Sequence, residues 1–238
     1  MKPRRAGGRR RSWTALAAAF SAYLGWAGRR VRVSGDVELA EALEAIRRNH
    51  PGRKLVLYWW QRDVLGLFFA ASGGAPALKS FLGEVEYICD DTAGGRLTQA
   101  MLTRLGLRYS PLSRASGPTR ARDLKRIMQA KSANGIAVDG NGPYGVVGRE
   151  FVRFLASSGA VAVPIAARAS RSRAIWARTA MDLPRPGALL AVSCGLPTVV
   201  AEPGANPQLD LRDRLEAARD AASRLARTAG PPAAVTSP

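Results

Sequence analysis

Two short stretches carry residue types whose spacing could do chemistry. The first is the turn Asp139-Gly140-Asn141-Gly142-Pro143-Tyr144-Gly145. It follows an apolar run, Ile136–Val138, that reads as a buried strand. It precedes a helical pattern that sets Val147, Phe151, Phe154 and Leu155 on one face, and then a second apolar strand, Ala160–Ala166. A strand, a Gly-rich turn and a helix together expose backbone N–H groups to an anion. Gly140, Gly142 and Gly145 also fit the spacing of the dinucleotide fingerprint. That fingerprint needs an acidic residue about 20 positions later for the ribose hydroxyls. The chain instead runs into Ala167, Arg168 and Arg171, whose charge would suit a 2′-phosphate. The second stretch, Trp59-Trp60-Gln61-Arg62-Asp63, closes another apolar strand with three polar side chains in a row.

These stretches belong to a larger ordered pattern. LVLYWWQRD, DDTAGGRLTQAMLTRLGLRYSPLSRAS, ARDLKRIMQAKSANGIAVDG, IAVDGNGPYG with VAVPIAARAS, and WARTAMDLPRPGALLAVSCGLPTVV follow one another over roughly residues 30–200. In that order they resemble the bacterial lysophospholipid-acyltransferase-like proteins, the subgroup distantly related to the lipid A acyltransferases. The resemblance implies transfer of a fatty acyl group to a lysophospholipid or glycolipid hydroxyl. The donor would be a coenzyme A or acyl-carrier-protein thioester, with no cofactor. It also implies a site at the cytoplasmic face of a bacterial inner membrane.

The resemblance also shows what has changed. The family's strand ends in Trp-His-x-Arg, and its His falls on Trp60 while its Arg falls on Arg62. Indole has no basic nitrogen, so Trp60 cannot take the acceptor's proton. Asp63 is the nearest replacement base, a role that requires burial to raise its pKa. Its competing role is to cap the helix starting at Val64. Gln61 can orient an acceptor but cannot act as a base. His50 precedes the same strand, at the wrong end of the sheet for the site. The family's Asp-Gly-Pro-Arg-Gly-Pro turn keeps Asp139 and Gly140, and its Arg slot holds Gly142, or Tyr144 with a gap. Substrate or anion binding is therefore expected from Arg62, Gln61, Asp139, Gly140, Gly142 and Arg114, with Arg120 and Arg149 as further sources of charge. With the polar positions altered and the apolar scaffold kept, the alternative is a catalytically inactive homologue that binds lipid or a partner.

The elements that must hold these residues alternate. Helices are expected over Glu38–Arg48, Val64–Ala71, Gly95–Leu105 and Thr119–Lys131. Strands are expected over Lys54–Trp59, Val85–Cys89, Leu107–Ser110, Ala174–Thr179 and Ala188–Cys194. The pattern predicts an α/β fold, a mixed, mostly parallel sheet flanked by helices. Gln208–Arg227 reads as an amphipathic helix with a Leu209, Leu215, Ala218, Ala222, Leu225 stripe that packs on the domain. Pro231–Pro238 reads as a disordered tail. The division expected is a basic, hydrophobic segment over 1–30, the α/β domain over 31–202, and a C-terminal helix and tail over 203–238.

Charge bounds the partners. The 238 residues carry 36 Lys and Arg against 18 Asp and Glu, for a net +18. Nine of the positive charges, and no acid, lie in residues 1–35. They flank Trp13–Gly28, WTALAAAFSAYLGWAG, which is uncharged and shorter than the roughly 20 residues that span a bilayer. Its aromatics and flanking arginines predict a helix lying on, or partly in, an anionic membrane surface. Nucleic acid is a weaker reading, since RNP patterns, zinc knuckles and basic heptads are missing. A lone His50 and two cysteines, Cys89 and Cys194, give no metal spacing, and both thiols read as buried and free.

Overall fold

The structure, a computed structural model, describes residues 18–20, 22–28, 30–113, 118–139, 144–175, 181–200 and 206–228. The strands are β1 (Arg32–Ser34), β2 (Leu55–Trp59), β3 (Glu86–Asp90), β4 (Arg108–Leu112), β5 (Ala133–Ala137), β6 (Val161–Ala169), β7 (Ser172–Ile175), β8 (Met181–Pro184), β9 (Leu189–Cys194) and β10 (Thr198–Val199). The helices are α1 (Asp36–Asn49), α2 (Val64–Phe69), α3 (Pro76–Glu84), α4 (Ala93–Leu105), α5 (Pro118–Ala130), α6 (Arg149–Ser158) and α7 (Pro207–Thr228). The main sheet runs β1-β9-β6-β2-β5-β3-β4, with β10 paired to β6. From β6 to β4 every neighbour is parallel, whereas β9 and β10 pair antiparallel with β6. β7 and β8 form a separate antiparallel ribbon. This is the expected α/β class.

Central strand β2 is apolar on both faces because both faces are covered. Leu55, Leu57 and Trp59 enter a core with Leu39 and Leu43 of α1, Leu65 of α2 and Leu78 of α3. Val56, Tyr58 and then Trp60 enter the opposite core with Ile127 of α5, Phe151 of α6 and Leu215 of α7. The period of 2 thus aims adjacent tryptophans at opposite faces. Room for Trp59 comes from Gly135 on β5, where a Cβ would lie 2.5 Å from the indole Cη2.

α7 lies close against β6 and β9 because the seam is built of small residues: Ala166 and Ala191 on the sheet, Ala218, Ala222 and Ala226 on the helix. Its buried face is Leu211, Leu215, Ala218, Ala222 and Ala226. The expected stripe was therefore rotated at its ends. Leu209 and Leu225 are exposed, and Leu211 and Ala226 take their places. Tyr58 donates its hydroxyl to the Leu211 carbonyl at 3.1 Å, and Ser193 does the same to Ala218 at 2.6 Å. These bonds pin the helix to the sheet.

Several local expectations shift. The helix expected over Val64–Ala71 is preceded by a 3₁₀ turn, Gln61–Asp63, and continues as a π turn through Ala70–Gly74. Ser72-Gly73-Gly74 therefore widens the coil instead of stopping it. The short segments β1, α3 and β10 carry too few periodic positions to be read beforehand. The strand expected over Ala174–Thr179 begins earlier, at Ser172, and residues 176–180 lie outside the described residues.

Of the segment Trp13–Gly28, residues 18–20 and 22–28 are described and helical. Leu24 and Ala27 are buried, and Tyr23 meets Phe69 edge-on and donates to the Pro184 carbonyl at 3.0 Å. Trp26 stays exposed, with Arg30 stacked 4.7 Å over its ring. Among the described residues, no single helix is long and apolar enough to cross a membrane. The tail from residue 229 onward lies outside the described residues. Cys89 is buried, Cys194 is half-buried, and both thiols are free.

Candidate functional site

The site lies where β2 and β5 end, and the parallel pairing of those strands builds it. Trp59 sits opposite Ala137, so the residues that follow each strand emerge side by side. The Gln61 backbone N–H donates to Asp139 Oδ1 at 2.6 Å. Two of the expected residues, one from each stretch, are thereby joined. Burial pushes the Asp139 carboxyl up, while the facing backbone N–H groups of Gln61 and Gly145 and the charge of Arg219 oppose that rise.

Arg62 reaches sideways to the β7–β8 ribbon. Its Nε lies 3.0 Å from Asp182 Oδ2 and its Nη2 3.2 Å from Oδ1, a two-pronged pair. Arg168 of β6 meets the same carboxylate at 2.6 Å. This arginine, read from the sequence as a candidate for a 2′-phosphate, is thus committed to an acidic partner.

Asp63 does not cap α2: its side chain makes no hydrogen bond to that helix. The carboxyl is buried, with Arg219 Nε 3.2 Å from Oδ2 and Arg168 Nη1 3.8 Å from Oδ1. Neither contact is aligned as a hydrogen bond, and both carboxyl oxygens and Arg219 Nε remain unsatisfied among the described residues. Burial pushes the Asp63 pKa up to about 7, aided by the charge of Asp182 and opposed by Arg219, Arg168 and Arg62. Desolvation of the carboxylate outweighs its cationic neighbours.

The cover of this arrangement comes from Tyr144. Its ring lies under the guanidinium of Arg62 at 5.0 Å and of Arg219 at 5.5 Å, and it tilts against Trp60 at 5.5 Å. Arg219 Nη1 donates to the Tyr144 hydroxyl. Trp60 is buried, and its indole N–H donates to Glu216 Oε1 at 2.8 Å. Glu216 Oε2 lies 3.4 Å from Arg219 Nη1. Glu216 and Arg219 share a face of α7 at a spacing of three.

Gln61, Arg62, Asp63 and Asp139 therefore converge. Gly140, Gly142 and Arg114 lie outside the described residues. Arg120 is turned away, contacting Glu150 at 3.8 Å and the Ser113 carbonyl at 3.3 Å, and Arg149 is exposed. His50 follows α1 at the opposite end of β2, as expected. Sequence reading missed Asp182, Glu216 and Arg219. The i,i+3 pair of Glu216 and Arg219 was visible, but an amphipathic helix carries such pairs on any solvated face.

The dinucleotide reading fails on geometry. α6 begins at Arg149, four residues beyond Gly145, so the third glycine does not open the helix. β5 and β6, the strands either side of α6, are not neighbours, because β2 lies between them. Among the described residues no cluster of His, Cys, Asp or Glu is suited to hold a metal ion.

Below α2, on the other face of the sheet from Trp60, lies a small apolar cavity. Leu43, Leu57, Trp59, Leu67, Leu78 and Ile165 are among its walls. α2 links the two features, since it starts directly after Asp63 and its Leu67 lines the cavity.

No protein-family model matches the sequence, and no curated protein matches it. Among solved structures, the fold is similar to the 1-acyl-sn-glycerophosphate (LPA) acyltransferase, PlsC, from Thermotoga maritima. The TM-score is 0.45 at 13% identity, over 88% of this chain and 80% of that one.

Proposed function

We propose that this chain transfers a fatty acyl group from a thioester carrier to the hydroxyl of a lysophospholipid or glycolipid, with Asp63 as the base. The observation that carries this reading is the environment of Asp63. It is a buried carboxyl whose pKa is raised to about 7, beside Gln61, Arg62 and Asp139 at one end of the parallel strands. A base with that pKa is matched to proton transfer near neutrality. The ordered sequence motifs supply the reaction class.

The step balances without a cofactor. The Asp63 carboxylate accepts the acceptor's hydroxyl proton as that oxygen attacks the thioester carbonyl. Collapse of the tetrahedral intermediate breaks the C–S bond. The leaving thiolate takes the proton back from Asp63, giving an ester and a free thiol. The proposed place of work is the cytoplasmic face of a bacterial inner membrane. The nine basic residues before position 36, and the exposed Trp26 beside Arg30, favour an anionic lipid surface.

One observation favours a second reading. Trp60, in the family's His position, is buried and hydrogen-bonded to Glu216, and the Asp63 side chain is sealed from solvent. A homologue that binds lipid without transferring acyl groups would have this closed form. The deciding experiment is an acyl-transfer assay with coenzyme A and acyl-carrier thioesters across a lysolipid panel, using wild type and Asp63→Asn. Transfer that disappears in Asp63→Asn, with the fold intact, supports the enzyme. No transfer by the wild type, with lysolipid still bound, supports the binding protein.

A further inference from the structure

We infer that α7 completes the site. Arg219 is a positioning residue for Asp63, Trp60 holds Arg219 through Glu216, and Tyr144 is the displaceable cover over a pocket for a neutral hydroxyl. The identity of the ligand rests on the acyl-transfer reading; the geometry does not.

The chain of contacts is continuous. The Trp60 indole N–H bonds Glu216 at 2.8 Å, Glu216 meets Arg219 at 3.4 Å, and Arg219 Nε lies 3.2 Å from Asp63. The tryptophan in the histidine position therefore fixes the cation that faces the substitute carboxylate. Arg168 of β6 faces the other carboxyl oxygen at 3.8 Å, and Asp182 of β8 ties Arg168 and Arg62 together. Among the described residues, Arg219, Arg168, Asp182, Arg62 and Tyr144 interact electrostatically with Asp63, and Glu216 and Asp139 interact with Arg219.

The unsatisfied atoms define what fits. Both Asp63 carboxyl oxygens and Arg219 Nε are buried and ion-paired, yet none of the three makes an aligned hydrogen bond. Buried polar groups without a hydrogen bond are rare in folded proteins and point to a missing ligand or water. An anionic ligand would meet the Asp63 carboxylate, and a cationic one would meet Arg168 and Arg219. A neutral hydroxyl donates to the first and accepts from the second, so it satisfies both sides at once.

The obstruction is Tyr144. It belongs to no helix or strand, and is followed by Gly145 at φ 82°. It is held by its two guanidinium contacts, the Trp60 contact and the bond from Arg219. It remains 42% exposed, so its outer face already borders solvent. Its departure would uncover Arg219 and Asp63 together.

The test needs no acyl donor, which separates it from the function itself. Carbodiimide labelling of Asp63 in the full-length protein, read by peptide mass spectrometry, is expected to be slow in wild type and markedly faster in Tyr144→Ala. A lysophospholipid with a free glycerol hydroxyl should protect Asp63 in Tyr144→Ala, and its deoxy analogue should not. Carboxyl ¹³C titration should show the Asp63 pKa rising by about 1–3 units in Arg219→Gln. Arg219→Lys should restore most of the shift, and Trp60→Phe should move it in the same direction by less. Equal labelling of wild type and Tyr144→Ala overturns the cover. Equal protection by both lipids, or by neither, overturns the hydroxyl pocket. An unmoved Asp63 pKa in folded Arg219→Gln overturns the role of Arg219. Acyl transfer that fails while these results hold would remove the enzyme reading and leave the pocket.

Discussion

Arg219 Nε lies 3.2 Å from Asp63 Oδ2, so α7 reaches the turn that follows the second strand. The alanine seam between α7 and the sheet makes that reach possible, because larger residues at Ala166, Ala191, Ala218 or Ala222 would lift the helix away. The burial of Asp63, which outweighs the opposing charge of Arg219, gives pH a direction. An aspartate in an unfolded chain titrates near 4. In the folded protein Asp63 titrates at about 7. Between those values the native state holds a proton that the unfolded state has released. Asp63 therefore contributes its full stability below about pH 4, and that contribution is lost as pH rises through about 7. Three pKa units correspond to roughly 4 kcal/mol. The raised pKa of Asp139 acts with the same sign. Urea midpoints measured from pH 4.5 to 8 should fall with rising pH in wild type, and Asp63→Asn should remove most of the slope.

Trp60 is expected to resist replacement by histidine. The side chain is buried among Tyr58, Phe151 and Leu215 and bonded to Glu216. Trp60→His leaves a cavity in that core, and the cost is about 2–4 kcal/mol. Trp60→Phe keeps most of the volume and loses the bond to Glu216, at about 1–2 kcal/mol. Thermal denaturation should rank wild type, then Phe, then His. A Trp60→His variant as stable as wild type would mean that the indole is not packed as described.

Gly135 should be intolerant for a steric reason. A methyl there would meet Trp59 Cη2 at 2.5 Å and Val85 Cγ1 at 3.0 Å, both inside the packed core. Gly135→Ala is expected to cost about 1–3 kcal/mol. The Trp59 ring must shift, so the near-UV circular dichroism of the tryptophans should change with it.

Much of this arrangement was legible beforehand, and for identifiable reasons. Alternation along Leu55–Trp60 and the glycine stop at Gly106 are local signals, and the elements around them stand where they were expected. The convergence of Gln61, Arg62, Asp63 and Asp139 followed from two strands ending in polar residues, which the parallel pairing of β2 and β5 then brought together. What was not legible is the other half of the site. Asp182 sits on a four-residue ribbon strand, and Glu216 and Arg219 resemble any solvated i,i+3 pair until α7 is placed on the sheet. Asp63 itself read more readily as a helix cap, because local sequence favours that role and only tertiary burial overrides it.

The N-terminal segment carries the last prediction. Lys2, Arg4, Arg5, Arg9, Arg10, Arg11, Arg29, Arg30 and Arg32 precede position 36 without an acid among them. Each basic residue near an anionic leaflet contributes about 1 kcal/mol, and salt screens it over about 10 Å at 0.1 M. A chain starting at Val33 should therefore bind phosphatidylglycerol vesicles far more weakly than the full chain at low salt, and the difference should shrink as salt is raised. Leu24 and Ala27 pack into the core, and Tyr23 bonds Pro184. Removing the whole segment consequently also costs stability, which would confuse the comparison. Replacing Lys2, Arg4, Arg5, Arg9, Arg10 and Arg11 with Gln in the full chain avoids that cost, since the core contacts of residues 22–28 remain. Cosedimentation with anionic vesicles should drop in this variant while its melting temperature stays unchanged. Equal cosedimentation of variant and wild type at low salt would show that these residues do not bring the protein to the membrane.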